Sequence, residues 1–182
     1  MEGQEIKVVV LSNCQQVQLF HNDRSLGTQT MPRNGHLEWT LKYAPGNITA
    51  KGYNGWRAAV SETVETTGNP ALVRLRTDRT ALVSDGEDLV PVAVGVLDAK
   101  GRIVPTADNA VTFQVEGVGR VAGVGNGDPT DHDSEKAPCR RSFGGQCLVL
   151  VGAADKPGDL ILTATSPGLE SATLRLRATL VN

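Results

Sequence analysis

Hydrophobic and polar residues alternate along the first third of the chain, which is the pattern of half-buried β-strands. The clearest run places four apolar side chains on one side of a strand, at Leu37, Trp39, Leu41 and Tyr43. Short clusters of Asn, Asp, Gly and Pro interrupt the alternation and are typical of tight turns. The pattern predicts six strands, at residues 5–12, 15–21, 24–31, 36–43, 47–53 and 56–66.

The alternation resumes after residue 70. It predicts further strands around residues 73–75, 92–96, 111–115, 147–151, 160–162 and 172–180. No window keeps the apolar spacing of an amphipathic helix over three turns, so we expect no substantial helix. Residues 123–145 are polar and rich in glycine, and they are expected to form a surface excursion. Glycines at 117, 119, 123, 125 and 127 are expected to serve bulges and turns with positive φ.

Many short strands at intervals of about ten residues are the rhythm of antiparallel β-sandwiches. The best linker is the polar segment 66–70, which reads Thr-Thr-Gly-Asn-Pro. We therefore predict an all-β protein of two tandem β-sandwich domains, at residues 1–67 and 68–182.

Composition narrows the classes of function. The chain has 20 glycines, 9 prolines and a formal net charge of -2, which gives no reason to expect a nucleic-acid partner. Its apolar runs are too short to cross a bilayer, so no membrane association is expected. The first residues, MEGQEIK, lack the features of a signal peptide, and the sequence leaves localisation open.

The sequence predicts no catalytic residue. It contains no Gly-x-Ser-x-Gly nucleophile elbow, and His21, His36 and His132 stand at strand ends or turns without a triad context. No spacing of Asp and Glu implies the paired carboxylates of a glycosidase. We expect no enzymatic activity, no cofactor and no metal, with one alternative left open: calcium at the acidic loop 128–135.

The three cysteines, Cys14, Cys139 and Cys147, are too few for a disulfide framework. Cys139 and Cys147 could meet across a hairpin. Whether they pair stays open at this point, with reduced thiols the favoured interpretation.

Several segments together resemble a known family. Residues 17–20 and 25–27, separated by a short turn, resemble a hairpin in the C-terminal region of family 2 glycoside hydrolases of the β-galactosidase type. The similarity continues through Trp39 and over nearly the whole chain, in segments at 43–46, 50–53, 66–68, 78–79, 85–89, 105–109, 123–128 and 143–145.

The resemblance implies two immunoglobulin-like β-sandwich domains that follow a catalytic (β/α)8 barrel. It implies a non-catalytic accessory role, with that barrel as the partner, inside a periplasmic or secreted enzyme. A barrel needs about 250 residues, so the catalytic glutamates of such an enzyme cannot lie in this segment.

Some residues depart from the pattern of the family and suggest alternatives. His21 and Asp23 stand in the first hairpin turn, Trp56 follows a turn, and Val118 sits between two glycines. One alternative is an engineered scaffold whose altered surface binds a protein partner through these four residues, with His21 making binding depend on pH. A second alternative is a carbohydrate-binding module that uses Trp56 with Tyr53.

Overall fold

The structure is a computed structural model that describes residues 2–180. Every regular element in that range is a β-strand, which confirms the predicted all-β class. None of the described residues belongs to a helix long and apolar enough to span a bilayer. The chain divides between Thr66 and Thr67 into two compact units, each with its own hydrophobic cluster.

The first unit contains six strands that follow the predicted ones closely. They are β1 (Glu5–Val10), β2 (Gln16–His21), β3 (Arg24–Thr30), β4 (Leu37–Lys42), β5 (Asn47–Asn54) and β6 (Arg57–Glu65). β1 and β4 form a two-stranded antiparallel sheet, and the other four strands form a second sheet in the order β3-β2-β5-β6. All pairs in both sheets are antiparallel.

The core of the first unit lies between these two sheets. Val17 and Leu19 of β2 and Leu37 and Trp39 of β4 are buried, because alternate residues of each strand point to the same side. Trp39 is only 7% exposed, in agreement with its place in the apolar phase of the strand.

The second unit contains nine strands. They are β7 (Pro70–Arg76), β8 (Ala81–Val83), β9 (Leu89–Asp98), β10 (Ala110–Gly117), β11 (Gly119–Gly125), β12 (Cys139–Arg141), β13 (Gln146–Ala153), β14 (Gly158–Thr165) and β15 (Ala172–Thr179). Five strands form one sheet in the order β12-β10-β14-β15-β8, and four form another in the order β11-β13-β9-β7. Alternating valines and leucines from both sheets build one continuous core.

The prediction of a surface excursion over residues 123–145 is wrong at both ends of that segment. β11 runs through Gly125, and the short β12 lies inside the segment with Arg140 buried. The alternation was hidden because the pairing of β11 with β13 shifts register between Val121 and Gly123. Such a bulge breaks the period of two that identifies a strand.

Three of the five glycines predicted to serve turns and bulges do so, whereas Gly119 and Gly125 are paired residues of β11. Gly117 and Gly127 have φ values of 91° and 78°, and Gly123 adjoins the register shift. At Gly117 a Cβ atom would collide with the carbonyl oxygen of Asp159, so both the dihedral angle and the space require glycine.

Candidate functional site

Trp56 is the most exposed large hydrophobic side chain of the described residues. It follows Gly55 in the turn between β5 and β6, and 87% of its surface is accessible. The turn itself is fixed, because Gly55 has a φ of 61° and its N–H donates to Oε1 of Gln15 at 2.8 Å. The Arg57 guanidinium lies 5.6 Å from the ring centroid. A rigid turn thus presents an open indole face, the type of residue that anchors protein contacts.

Two exposed valines lie further along β6, with Glu62 between them on the same face. Val60 pairs with Gly52 and Val64 with Ile48, and Gly52 in turn pairs with the buried Val17 of β2. Paired residues of antiparallel strands point to the same face, so both valines face the core side of their sheet. They are nevertheless 53% and 68% exposed and lie outside the hydrophobic cluster. We call Trp56, Val60 and Val64 the β6 surface.

The strand count explains why this surface is open. The sheet that contains β6 has four strands, whereas the opposing sheet has two. A two-stranded sheet cannot cover four strands, since neighbouring strands lie about 4.8 Å apart. All nine residues of β6 are exposed, and β5 is its one neighbour in the sheet. β6 is therefore both an edge strand and an uncovered face.

His21 and Asp23 lie at the other end of the same sheet. His21 pairs with Ile48, whereas the β5–β6 turn begins after Asn54, so His21 and Trp56 are separated by about 15 Å or more along the strands. His21 is partly buried, with Nε2 3.2 Å from the carbonyl oxygen of Ala44. Asp23 is exposed in a tight turn with a φ of 63°. The structure does not bring these two residues together with Trp56.

Val118 occupies the turn between β10 and β11 in the second unit. Its side chain is partly buried and packs against the core of that unit. Its N–H donates to the carbonyl oxygen of Asp159, and its own carbonyl accepts a hydrogen bond from Ala154. These contacts give Val118 a packing role in the turn.

The acidic loop 128–135 uses its carboxylates in local structure. Asp128 Oδ1 accepts the N–H and the hydroxyl of Thr130, at 2.9 and 2.8 Å. Asp131 forms an ion pair of 2.8 Å with the buried Arg140, and this hydrogen bond lowers the pKa of the Asp131 carboxyl. No group of three or more potential metal ligands is placed together among residues 2–180.

Two further carboxylates are committed to holding turns of the second unit. Asp98 is buried and accepts hydrogen bonds from the N–H groups of Gly68 and Lys100 and from the Arg102 guanidinium, which lowers its pKa strongly. Arg79 binds Asp88 at 2.6 Å and holds the pKa of that carboxyl at about 2. These groups act as structural anions, because their charge is balanced by neighbours that they also position.

The cysteines are free thiols, which settles the open question about Cys139 and Cys147. Cys139 pairs with Thr112 in one sheet and Cys147 with Val94 in the other, so the two side chains belong to different layers of the sandwich. Burial raises the pKa of the Cys147 thiol to about 12. Cys139 is exposed and Cys14 is buried.

Sequence reasoning missed two parts of these surfaces. Val60 and Val64 were placed on a strand, but their exposure depends on how many strands lie opposite. Arg140 was assigned to a polar loop, although it is 4% exposed and paired with Asp131. The sequence around Asp131 and Asp133 contains no pattern that would identify Arg140 as a buried cation.

The described residues thus form two strand-rich units, the first of which has an exposed edge strand. The chain belongs to the family described as glycoside hydrolase family 2 C-terminal domain 5, which matches residues 73–175. A second domain family, described as of unknown function, matches residues 3–59. These matches confirm the resemblance to the C-terminal region of family 2 glycoside hydrolases.

The chain is similar to a part of each of several larger proteins. It is 40% identical over 178 residues to a β-galactosidase of Bacteroides ovatus, covering 97% of this chain and 21% of that protein. It is 29% identical over 182 residues to a β-glucuronidase of Formosa agariphila, covering 97% and 18%. A solved glycosyl hydrolase family 2 member from Bacteroides cellulosilyticus matches with a TM-score of 0.94 and 34% identity, covering 98% of this chain and 23% of that one. The chain thus spans about a fifth of the length of the relatives it matches.

Proposed function

We propose that this chain is a non-catalytic accessory module that packs against the catalytic part of a larger family 2 glycoside hydrolase. Within it we propose two domains, at residues 1–67 and 68–182. The observation that carries the proposal is the β6 surface, where core-facing valines and a tryptophan stay exposed. Since the matched relatives are about five times longer, the remainder of such a protein offers the surface that would cover it.

The apolar area that docking would bury is large enough to stabilise the contact. Burying a tryptophan ring removes about 150–250 Å² from water, which corresponds to about 4–6 kcal/mol before the costs of association. Within one polypeptide those costs are reduced, because the linked domain is already at high effective concentration. A contact that runs along β6, from Trp56 at one end through Val60 to Val64 at the other, can therefore fix the module in place.

The non-catalytic part of the proposal is supported by how the carboxylates are used. Asp88, Asp98 and Asp131 are each bound to an arginine and hold a turn or loop. A glycosidase needs instead two carboxyl groups about 5–10 Å apart in a cleft, one of them with a raised pKa. The arginine partners of Asp88, Asp98 and Asp131 instead lower the pKa of each of these carboxyl groups.

A second candidate is an independent or engineered protein-binding module that uses the same Trp56. The exposure of this ring on a rigid turn favours it. His21 and Asp23 would then form a separate contact at the far end of the sheet. This candidate differs from the first in requiring a partner outside the polypeptide, so the isolated chain must bind that partner with measurable affinity.

The test replaces the homologous C-terminal part of the Bacteroides ovatus β-galactosidase with this chain. We expect the chimera to remain active, and Val64→Asp to lower its melting temperature by several degrees while leaving the isolated chain within about 0.5 kcal/mol. Ser61→Asp is the matched control, because Ser61 lies on the opposite face of the same strand.

Equal effects of Val64→Asp and Ser61→Asp in the chimera would overturn docking through β6. Hydrolysis of a nitrophenyl β-galactoside or β-glucuronide by the purified chain alone would overturn the non-catalytic assignment. Trp56→Ala should act in the same direction as Val64→Asp, since the proposed contact runs along the whole of β6 to the turn that carries Trp56.

A further inference from the structure

Phe143 is a second exposed aromatic residue, and it is held on a rigid turn of the second unit. Its ring is 52% exposed. Phe143 and Gln146 exchange backbone hydrogen bonds of 2.8 and 3.1 Å across Gly144 and Gly145, whose φ values are 60° and 76°. The preceding Ser142 is buried and donates to the carbonyl oxygen of Ala107. The turn therefore presents the ring with little freedom to move.

Glycine at position 145 is required for this turn. A Cβ atom there would collide with the carbonyl oxygen of Val104, and the Gly145 N–H donates to the carbonyl of Ala107 at 3.0 Å. The backbone at Gly145 is thus in close contact with the loop that follows β9, and this contact fixes the position of Phe143. Rigid presentation lowers the entropic cost of binding a ligand to an exposed ring.

Two grooves share Phe143 as a common wall. One, of about 520 Å³, is lined on its other sides by Asn126, Gln146 and Leu148. The other, of about 480 Å³, is lined by polar groups. They include Asp108, Thr130, His132, Asp133 and Arg141.

Asn126 borders both grooves and is fully engaged in the framework. Its amide nitrogen donates to Asp131 at 2.6 Å and to the carbonyl oxygen of Arg141 at 3.1 Å. Its amide oxygen accepts the N–H of Asp128 at 3.0 Å. The rim opposite Phe143 is therefore as firmly held as the ring itself.

An exposed ring beside a polar groove has the chemistry of a carbohydrate site. The C–H face of a pyranose stacks on an aromatic ring, and its hydroxyls need carboxylate, amide and guanidinium partners at the rim. The charge of the polar groove selects among sugars. Four aspartates, at 108, 128, 131 and 133, line it. Arg140 and Arg141 pair with Asp131 and Asp108, so carboxylates still outnumber guanidinium groups and a uronate carboxyl would be disfavoured.

We propose that the Phe143 turn and its two flanking grooves form a binding site for a neutral oligosaccharide chain, with Phe143 as the stacking platform. The site lies in the second unit and does not involve Trp56. It is independent of the proposed docking through β6, because it uses other residues and binds a free ligand.

The test is affinity electrophoresis of the chain against neutral galactan, mannan and β-glucan and against polygalacturonate, followed by calorimetric titration with an oligosaccharide of the retarding polymer. We expect retardation by at least one neutral polymer and none by polygalacturonate. Phe143→Ala should weaken binding about tenfold or more, and Phe143→Trp should preserve it. Trp56→Ala is the matched control and should leave binding unchanged.

Three outcomes would overturn the proposal. They are no retardation by any of the neutral polymers, retardation that Phe143→Ala leaves intact, and retardation by polygalacturonate equal to that by a neutral polymer. A melting temperature of Phe143→Ala within about 2 °C of the parent would show that the loss of binding is not a loss of fold. Should that variant melt lower, the binding affinity must still follow the size of the side chain at position 143. Phe143→Trp should then bind at least as tightly as the parent, and Phe143→Ser more weakly.

Discussion

The two units differ in how completely their two sheets cover each other. In the second unit a four-stranded sheet faces a five-stranded one, and alternating side chains from both fill a continuous core. In the first unit a four-stranded sheet faces a two-stranded one, and the buried residues are concentrated around Trp39. The second unit buries the hydrophobic faces of its two sheets against each other, whereas β6 of the first unit has no strand opposite to cover it.

The difference has a consequence for stability. Fewer buried side chains mean that each one carries a larger share of the free energy of unfolding of the first unit. The second unit also has ion pairs at Asp88, Asp98 and Asp131, while Lys7 and His36 of the first unit pair with the exposed Glu38. We therefore expect the first unit to open at lower denaturant concentration than the second.

The largest expected effect comes from Trp39→Ala. Loss of this buried ring should destabilise the first unit by about 3–5 kcal/mol, enough to unfold it selectively. Urea unfolding followed by far-ultraviolet circular dichroism should show the early transition lost and the late one unchanged. Trp56→Ala removes the same side chain from an exposed position and should change neither transition by more than about 0.5 kcal/mol.

Gly117→Ala should weaken the second unit by about 1–3 kcal/mol, because the new Cβ would meet the Asp159 carbonyl at a φ of 91°. Gly86→Ala is a matched control, since Gly86 has a φ of 78° and an open site. The difference between the two variants in the free energy of the late unfolding transition measures the cost of the contact between the new Cβ atom and the Asp159 carbonyl. Equal shifts would contradict the close approach.

Thiol labelling compares the opening of the two units directly. With Cys139 replaced by serine, the buried Cys14 reports on the first unit and the buried Cys147 on the second. If the first unit opens more readily, a thiol reagent should modify Cys14 about tenfold faster or more, as read by mass spectrometry of the peptides. Faster labelling of Cys147 would reverse the proposed order of stability.

Acid should act more strongly on the second unit than on the first. The folded-state pKa values of Asp88 and Asp98 lie below their unfolded values near 3.9, so their stabilising effect is complete above about pH 4. It is lost as pH falls from about 4 towards 2, and the late transition should move to lower urea over that window. Asp88→Asn should flatten this dependence, and an unchanged slope would refute the assignment.

Much of the fold could be predicted from the sequence where one periodicity ran unbroken. The six strands of the first unit followed from alternation and from turns such as the one after His21. β8, β11 and β12 could not be found. β8 and β12 have only three residues each, too few to show a period, and a bulge between Val121 and Gly123 with closely spaced glycines hides the period of β11. The alternation of apolar and polar residues predicts regular strands well, but it does not reveal shifts of register between paired strands.

The candidate surfaces were harder to predict because they depend on long-range pairing. That His21 and Trp56 lie at opposite ends of one sheet follows from the register of β2 with β5 and β6. That Cys139 and Cys147 belong to different sheets follows from how the strands are ordered. The exposure of Val64 could not be predicted from the sequence, because it depends on the number of strands in the opposing sheet.

Amide hydrogen exchange is the most direct test that β6 is covered in a complete enzyme. Peptides from residues 57–65 would be compared between the isolated chain and its chimera with the Bacteroides ovatus β-galactosidase. The account predicts rapid exchange in the isolated chain and strong protection in the chimera, with peptides from residues 172–179 unchanged. Equal exchange of residues 57–65 in both proteins would contradict it.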